Sequence, residues 1–228
     1  MRFYSLPPRE VEWPYLMVNP VSYKELYRRR FIHAIVDCGV EFFNANPGAV
    51  DYPQDFLNRW KAKGVYLTSL FHDKVWITIP DYPDDYHPGQ GSISKTIKNI
   101  EEFLKVKDVN WLPSIQARYL DELSLYESIQ DTKAAVDGCP RLALGTVCKT
   151  NDRRFIIRSA KALRSHFPGK WLHAFGVTRD VIRPLDGVFD SCDSMAWTYP
   201  RNHGGHSCKT KDERISYFME YVKEVVFE

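Results

Sequence analysis

The chain's 228 residues, 44% hydrophobic and 26% charged, predict a single globular domain spanning residues 1–228, and a formal net charge of +2 does not by itself indicate a nucleic-acid partner. The five cysteines form no CxxC pair, no apolar run approaches about 20 residues, and the N-terminal segment MRFYSLPPRE lacks the apolar core of a signal peptide. These features argue against a disulfide framework, a zinc ribbon and a membrane span, so we expect a soluble protein of the cytoplasm, or of the host cytoplasm for a viral source.

Apolar runs rich in β-branched and aromatic residues alternate along the chain with segments whose apolar residues recur at helical spacing. The first predicted strand is YLMVN at 15–19, and a short helix is predicted after it at 21–30. The later predicted strands lie at 31–39, 65–70, 75–80, 111–116, 141–148, 171–177 and 187–197. The later predicted helices lie at 54–63, 92–106, 120–136, 152–167 and 211–227.

This alternation predicts an α/β fold with a parallel sheet and right-handed crossovers. Seven or eight strand candidates, and the absence of GxGxxG and GxxxxGK[ST] motifs, favour a compact (β/α)8 TIM-type barrel over an open doubly wound sheet. Because 228 residues lie near the lower limit for that barrel, we expect one strand or helix to be irregular or missing.

Polar residues and glycines occupy the points where the predicted strands end. In a parallel barrel these ends meet at one mouth, so their side chains are expected to converge there. Any one of them alone is typical of an ordinary cap or turn, but the recurring position favours a site for a polar, planar, nitrogen-rich ligand. The strand-end residues are Asp37, Asp81, Gln116, Gly145, Thr146, Gly176, and either Asp190 or Asp193.

The segments VDCG, IPDYP, PSIQ, LALGTV, HAFGV and FDSCDSMAW occur in the same order as the signatures of guanine transglycosylases. The chain resembles that superfamily, which includes the tRNA-guanine transglycosylases. It is most similar to the DNA-directed branch, which inserts 7-deazaguanines into phage and bacterial DNA. The resemblance implies a pentosyltransferase that exchanges guanine for a 7-deazaguanine base without a cofactor.

The resemblance also implies two catalytic carboxylates. Asp193 would be the nucleophile that attacks C1′ of the target nucleotide and expels guanine, leaving a covalent aspartyl–glycosyl intermediate. Asp190, three residues earlier, stays open as the alternative nucleophile. Asp37 would be the acid and base that assists the leaving base and deprotonates the incoming one.

A base-binding set follows from the same resemblance. Asp81 would accept hydrogen bonds from the ring N–H and the exocyclic amine of guanine, a pairing that adenine cannot return. Glycine would allow main-chain donors to approach the carbonyl edge of the base closely. The expected edge contacts are Gln116, Gly145 and Thr146, and the expected cover of one base face is Phe175 with Gly176.

A basic segment, RNHGGHSCKTKDER, follows the candidate nucleophile, and Arg201, His203, His206 and Lys209 are expected to contact the nucleic-acid backbone. The tRNA-directed members carry a CxCxxC zinc site that this sequence lacks, and His203, His206 and Cys208 form only an incomplete alternative set. We therefore expect a metal-free enzyme whose substrates are DNA and a free 7-deazaguanine base such as preQ0 or preQ1.

Three other functions stay open from the sequence. The substrate could be tRNA, water could resolve the intermediate in an N-glycosidase, or the chain could be a non-catalytic binding module. Three neighbouring carboxylates argue against the last of these, because their mutual repulsion is costly without a chemical task. No membrane partner is expected, and the resemblance leaves a homodimer open.

Overall fold

The computed structural model of the chain describes residues 1–39, 41–46, 48–84, 92–148, 150–194, 196–198 and 210–227. It is a mixed α/β structure with two sheets whose paired strands are all parallel, in the orders β1-β9-β8-β7-β6 and β2-β3-β4-β5. The strands are β1 (Arg2–Tyr4), β2 (Tyr15–Val18), β3 (His33–Val36), β4 (Val75–Thr78), β5 (Trp111–Leu112), β6 (Ser114–Ile115), β7 (Arg141–Leu144), β8 (Trp171–Ala174) and β9 (Ser191–Asp193).

Helices connect most of the strands. They are α1 (Glu41–Ala45), α2 (Gln54–Phe71), α3 (Ser92–Phe103), α4 (Glu122–Lys133), α5 (Arg153–His166), α6 (Arg179–Ile182) and α7 (Lys211–Val222). Side chains cap several of them: Asp121 and Asp152 accept N–H bonds at the starts of α4 and α5, and Thr210 forms a capping box at α7. Among the helices described, none is both long enough and apolar enough to cross a membrane.

The two sheets also contact each other at their margins. Ser5 N donates to Tyr15 O at 3.1 Å and Met17 N donates to Ser5 O at 3.0 Å, so parallel hydrogen bonds join the end of β1 to β2. At the other margin β5 and β6 are consecutive pieces of chain separated only by Pro113. Strand β5 pairs with β4 and strand β6 with β7, so this margin is covalently continuous.

Side chains alternate between two apolar clusters on opposite faces of the strands, as the pleat of a strand requires. The larger cluster includes Leu16, Val36 and Ile77 and packs against the helices. The smaller cluster draws one inward residue from most strands of both sheets: Tyr4, Met17, Ile35, Trp76, Leu112, Ala143 and Phe175. Residues two positions from a member of this cluster along the same strand lie on the same face of the sheet.

The strand predicted at 65–70 is wrong, because these residues belong to α2. Gly64, between the predicted helix and the predicted strand, lies inside α2, where a Cβ atom would overlap the Trp111 ring. Trp60, Gly64 and Leu67 form the buried stripe of α2, and the apolar Val65 on another face is exposed. Strand β1, which is only three residues long, and helix α1 were not predicted.

Candidate active site

The predicted strand-end residues lie at the carboxyl ends of the parallel strands. Asp37 directly follows β3, Gln116 directly follows β6, and Asp193 is the last residue of β9. Gly145 follows β7 and Phe175 follows β8, so each of these positions extends a strand by a single residue. Asp81 lies three residues beyond β4.

The Asp193 carboxylate is 6% exposed and held by two hydrogen bonds to one oxygen. His173 Nε2 and the Gly176 N–H both lie 3.0 Å from Asp193 Oδ1. The main chain is fixed as well, because Val177 N donates to Asp193 O at 3.1 Å. Within the described part of the chain Oδ2 of Asp193 accepts no hydrogen bond, so this oxygen is available to a ligand.

His173 is a site residue that the sequence interpretation missed. The ring is fully buried, and its Nδ1 lies 2.7 Å from Ser191 Oγ. A neutral ring with its proton on Nε2 satisfies both contacts, because Nε2 then donates to Asp193 and Nδ1 accepts from the serine hydroxyl. The signal was available as a polar residue at the inward position two before Phe175.

Asp37 is half-buried and linked to β4 through Thr78, which the sequence interpretation also missed. Thr78 Oγ1 accepts from Cys38 N at 2.7 Å and donates to Asp37 Oδ1 at 3.0 Å. Asp37 N also donates to Val18 O at 2.8 Å. The carboxylate is therefore held over the junction of β3 and β4 and keeps contact with solvent.

A buried chain of side-chain hydrogen bonds runs from Asp81 to Thr146. Gln116 Nε2 donates to Asp81 Oδ2, and Thr146 Oγ1 donates to Gln116 Oε1. All three side chains are buried, and Thr146 has a φ of +56°, which residues other than glycine rarely adopt. These hydrogen bonds place a carboxylate, an amide and a hydroxyl along one side of the site. Together these groups can both donate and accept hydrogen bonds.

The glycine after β7 has a different effect from the one expected. Gly145 N donates to Ile115 O at 2.9 Å, so this N–H is part of the sheet ladder and not directed at a ligand. A Cβ atom at Gly145 would overlap the Gln116 side-chain amide. The lack of a side chain at Gly145 therefore makes room for Gln116.

Phe175 and Gly176 lie beside the Asp193 group. The Phe175 ring is buried in the smaller apolar cluster, and its centroid lies 4.8 Å from that of His173 in an edge-on arrangement. Gly176 has a φ of +56°, and a Cβ atom there would lie 2.6 Å from Cys148 Sγ. Both its conformation and its packing therefore favour glycine at the residue whose N–H binds Asp193.

Two buried groups beside the carboxylates stay protonated. Burial, followed by the charges of Asp37 and Asp81, raises the pKa of the Cys38 thiol well above its usual value. Burial also raises the pKa of Tyr52, whose hydroxyl donates to Asp81 O at 3.2 Å. Neither group supplies a competing anionic nucleophile at neutral pH.

Asp190 lies away from the strand ends that carry the other carboxylates. It precedes β9, and its Oδ2 accepts from Arg164 Nη2 at 2.6 Å and from Leu172 N at 2.8 Å. Arg164 also donates to the Val188 carbonyl at 2.7 Å. The Asp190 side chain therefore connects α5 to the starts of β8 and β9, which favours a role in stabilising the fold.

The expected backbone contacts, Arg201, His203, His206 and Lys209, lie outside the described residues. Within the described ranges no group of three or more His, Cys, Asp or Glu side chains is arranged to hold a metal ion. In the comparisons with known proteins, no family model matches the chain and no curated protein shows significant similarity to it.

Proposed function

We propose that the protein is a DNA-guanine transglycosylase that exchanges guanine for a 7-deazaguanine base through a covalent aspartyl–glycosyl intermediate. The observation that carries the proposal is Asp193, a buried carboxylate with one oxygen fixed by His173 and Gly176. A nucleophile for displacement at C1′ needs one restrained oxygen for orientation and one oxygen that can form the new bond.

We also infer that the two sheets close into a (β/α)8-type barrel. Support comes from the hydrogen bonds of Ser5 with β2 at one margin and from the chain continuity through Pro113 at the other. Counting β5 and β6 as one interrupted strand gives the eight parallel strands of that architecture. In such a barrel the Asp37, Asp81 and Asp193 strand ends face one mouth.

The proposed reaction has two displacements at C1′. In the first, Asp193 Oδ2 forms a bond to C1′ while the bond from C1′ to N9 of guanine breaks, and Asp37 protonates the leaving base. In the second, Asp37 takes the proton from the incoming 7-deazaguanine, whose ring nitrogen forms a bond to C1′ as the ester to Asp193 breaks. Protons and charge balance over the cycle, so the proposed exchange requires no further reactant.

The Asp81 to Thr146 chain is proposed as the base-binding side. A purine with a guanine-like edge presents donors at its ring N–H and exocyclic amine and an acceptor at its carbonyl. Asp81 matches the donors, and the second N–H of the Gln116 amide can donate to the acceptor, since the Thr146 hydroxyl already donates its proton to Gln116. DNA is preferred over tRNA as the polymer because the zinc spacing of the tRNA-directed members is missing from the sequence.

The test is incorporation of radiolabelled guanine and 7-deazaguanine into single-stranded DNA, double-stranded DNA and tRNA by the wild type, Asp193→Asn and Asp190→Asn. We expect label to enter DNA, and we expect Asp193→Asn to lower the exchange rate by at least about 1,000-fold, as loss of a covalent nucleophile does. Asp190→Asn is the matched control, because it makes the same chemical change three residues away. It should keep exchange activity while it weakens the contact with Arg164.

Each other outcome gives a different answer. Exchange that survives in Asp193→Asn and disappears in folded Asp190→Asn would overturn the nucleophile assignment. Label that enters only tRNA would show that the polymer substrate is tRNA and not DNA. Abasic sites without incorporation would identify an N-glycosidase, and an inert wild type would contradict an enzyme of this class.

A further inference from the structure

A groove lies on the outer surface between α2 and the 3-10 helix Tyr23–Tyr27, with a volume of about 660 Å³. Its lining contains three tyrosines, one alanine and four cations, and no carboxylate or branched aliphatic side chain. The cations converge from both helices, so the groove presents a concentrated positive charge although the whole chain carries only +2. These cations are Lys24, Arg28, Arg59 and Lys63.

The tyrosines give the groove flat aromatic surfaces next to the charges. Lys63 Nζ lies 3.5 Å from the centroid of the Tyr23 ring, so an ammonium and a ring face are already paired. Tyr27 and Tyr66 are 48% and 54% exposed, so both side chains are accessible from solvent. Exposed rings beside cations are the combination on which unpaired bases stack while their phosphates bind the charges.

The positive charges of the groove are only weakly neutralised. Arg28 pairs with Glu25 at 3.2 Å and Arg59 pairs with Asp55 at 2.7 Å, and both arginine side chains are largely exposed. The pair of Arg59 is exposed on both sides and contributes about 0–1 kcal/mol, so Arg59 can exchange its carboxylate for a phosphate. Glu25 also pairs with Arg29 and Arg9, so it stays neutralised when Arg28 turns to a phosphate. Lys24 forms no ion pair within the described ranges of the chain.

Buried contacts fix the 3-10 helix that forms one wall of the groove. Glu25 is buried and also accepts from Arg29 Nε at 3.0 Å, and Arg29 donates to the carbonyls of Pro7 and Pro8. The basic residues of segment 24–30 therefore have two roles. Arg29 fixes the 3-10 helix to the preceding chain, whereas Lys24 and Arg28 are exposed to solvent. A preformed wall lowers the ordering cost of binding a flexible chain.

We infer that this groove binds the phosphates and bases of a single-stranded nucleic acid, and the choice of nucleic acid as the partner rests on the proposed function. Helix α2 begins two residues after Tyr52, whose hydroxyl contacts the main chain of Asp81, and Arg59 follows about 8 Å along the helix from its start. From Arg59 to Tyr66 the helix rises about 10 Å, which matches two or three stacked nucleotides. A strand that leaves the site can therefore continue along α2.

The test is fluorescence anisotropy with a labelled single-stranded oligodeoxynucleotide of about 15 nucleotides, in the absence of any free base. Lys24→Ala/Lys63→Ala removes two groove charges, and we expect about tenfold weaker binding and a salt dependence shallower by about 1.4 in log–log slope. Lys107→Ala/Lys133→Ala is the matched control, since it removes two exposed charges elsewhere. Tyr66→Leu should weaken binding about fivefold or more through lost stacking, and Tyr126→Leu, at another exposed tyrosine, should not.

The outcomes separate this inference from the proposed chemistry. Equal binding by the groove variants and their controls would overturn it, and so would tighter binding of a duplex than of the single strand. If Tyr66→Leu changed the oligomeric state and left DNA binding unchanged, the groove would be an interface between copies of the protein and not a DNA-binding site. Normal groove binding without base exchange would contradict the transglycosylase proposal and leave the groove assignment standing.

Discussion

The Gln116 side chain joins two strand ends through its amide. Its nitrogen donates to Asp81 and its oxygen accepts from Thr146, so a single rotamer satisfies both neighbours. The side chain is buried, and leaving either partner unsatisfied would cost about 1–3 kcal/mol. The position of Asp81 therefore depends on the space that Gly145 leaves for Gln116.

Gly145→Ala is expected to displace Gln116 and to damage the site and the fold together. The added methyl group overlaps the Gln116 amide, and overpacking of this kind costs about 1–3 kcal/mol in the free energy of unfolding. In the exchange assay we expect the KM for the free base to rise about tenfold or more, because Asp81 loses its hydrogen bond from Gln116. Urea unfolding and steady-state kinetics measure the two effects.

Gly138→Ala is the control for that substitution, because a Cβ atom at Gly138 would meet nothing within 4 Å. It should change stability by no more than about 0.5 kcal/mol and leave the KM as it is. A Gly145→Ala protein with unchanged stability and unchanged KM would show that Gln116 does not hold Asp81 in place.

The strand-end positions of Asp37, Gln116 and Asp193 could be predicted from the sequence, because parallel strands bring their carboxyl ends to one edge. His173 and Thr78 could not. They occupy inward positions within strands, and the alternation of side chains does not reveal which face is the interior until the strands are paired. That Asp190 precedes β9 and contacts Arg164, whereas Asp193 ends β9, also required the structure, since this strand has only three residues.

At the scale of elements, the error at 65–70 has a tertiary cause. Gly64 lowers the local helix propensity by about 1 kcal/mol relative to alanine. The packing of Trp111 against α2 outweighs that preference, and no local pattern indicates such a contact. Strand β1 was missed for a related reason, because its three residues are defined by pairing with β9.

The 3-10 helix Tyr23–Tyr27 gives a second element-scale prediction, through Glu25. Burial alone raises the pKa of this carboxyl, but the hydrogen bonds and charges of Arg29, Arg9 and Arg28 outweigh it, so the pKa is lowered. In the unfolded chain the pKa of a glutamate is about 4.3, so the ionised group stabilises the fold above that pH. This contribution is lost as the pH falls below about 4.3 and through the lower folded pKa.

Glu25→Gln is therefore expected to lower the free energy of unfolding by about 1–3 kcal/mol at pH 7 and by less as the pH falls through 4 to 3. Urea unfolding of the wild type and the variant across this range measures the difference. Glu127→Gln is the control, because Glu127 pairs with Arg118 at the exposed surface at 3.5 Å. A difference between wild type and Glu25→Gln that is constant with pH would contradict the role assigned to the ionised carboxylate.

At the scale of the whole molecule, the proposed barrel depends on two short junctions. Pro113 interrupts one strand into β5 and β6, yet Ile79 N donates to Leu112 O on one side and Ala143 N donates to Pro113 O on the other. The proline lacks an N–H, so the ladder is maintained there by its carbonyl. At the other junction the main chain of Ser5 hydrogen-bonds to β2, which makes it the place where closure can best be tested.

Amide hydrogen exchange followed by NMR distinguishes a closed barrel from two sheets with an open margin. Ser5 N and Met17 N donate across the junction, so in a closed barrel we expect their protection to approach that of Ile77 N, which bonds Asn110 O within a sheet. An open margin would expose the same two amides to water, since they point away from the paired side of each strand. Exchange of Ser5 and Met17 orders of magnitude faster than that of Ile77 would therefore rule out closure, whereas similar protection at all three amides is expected when this junction is as stable as the paired sheet.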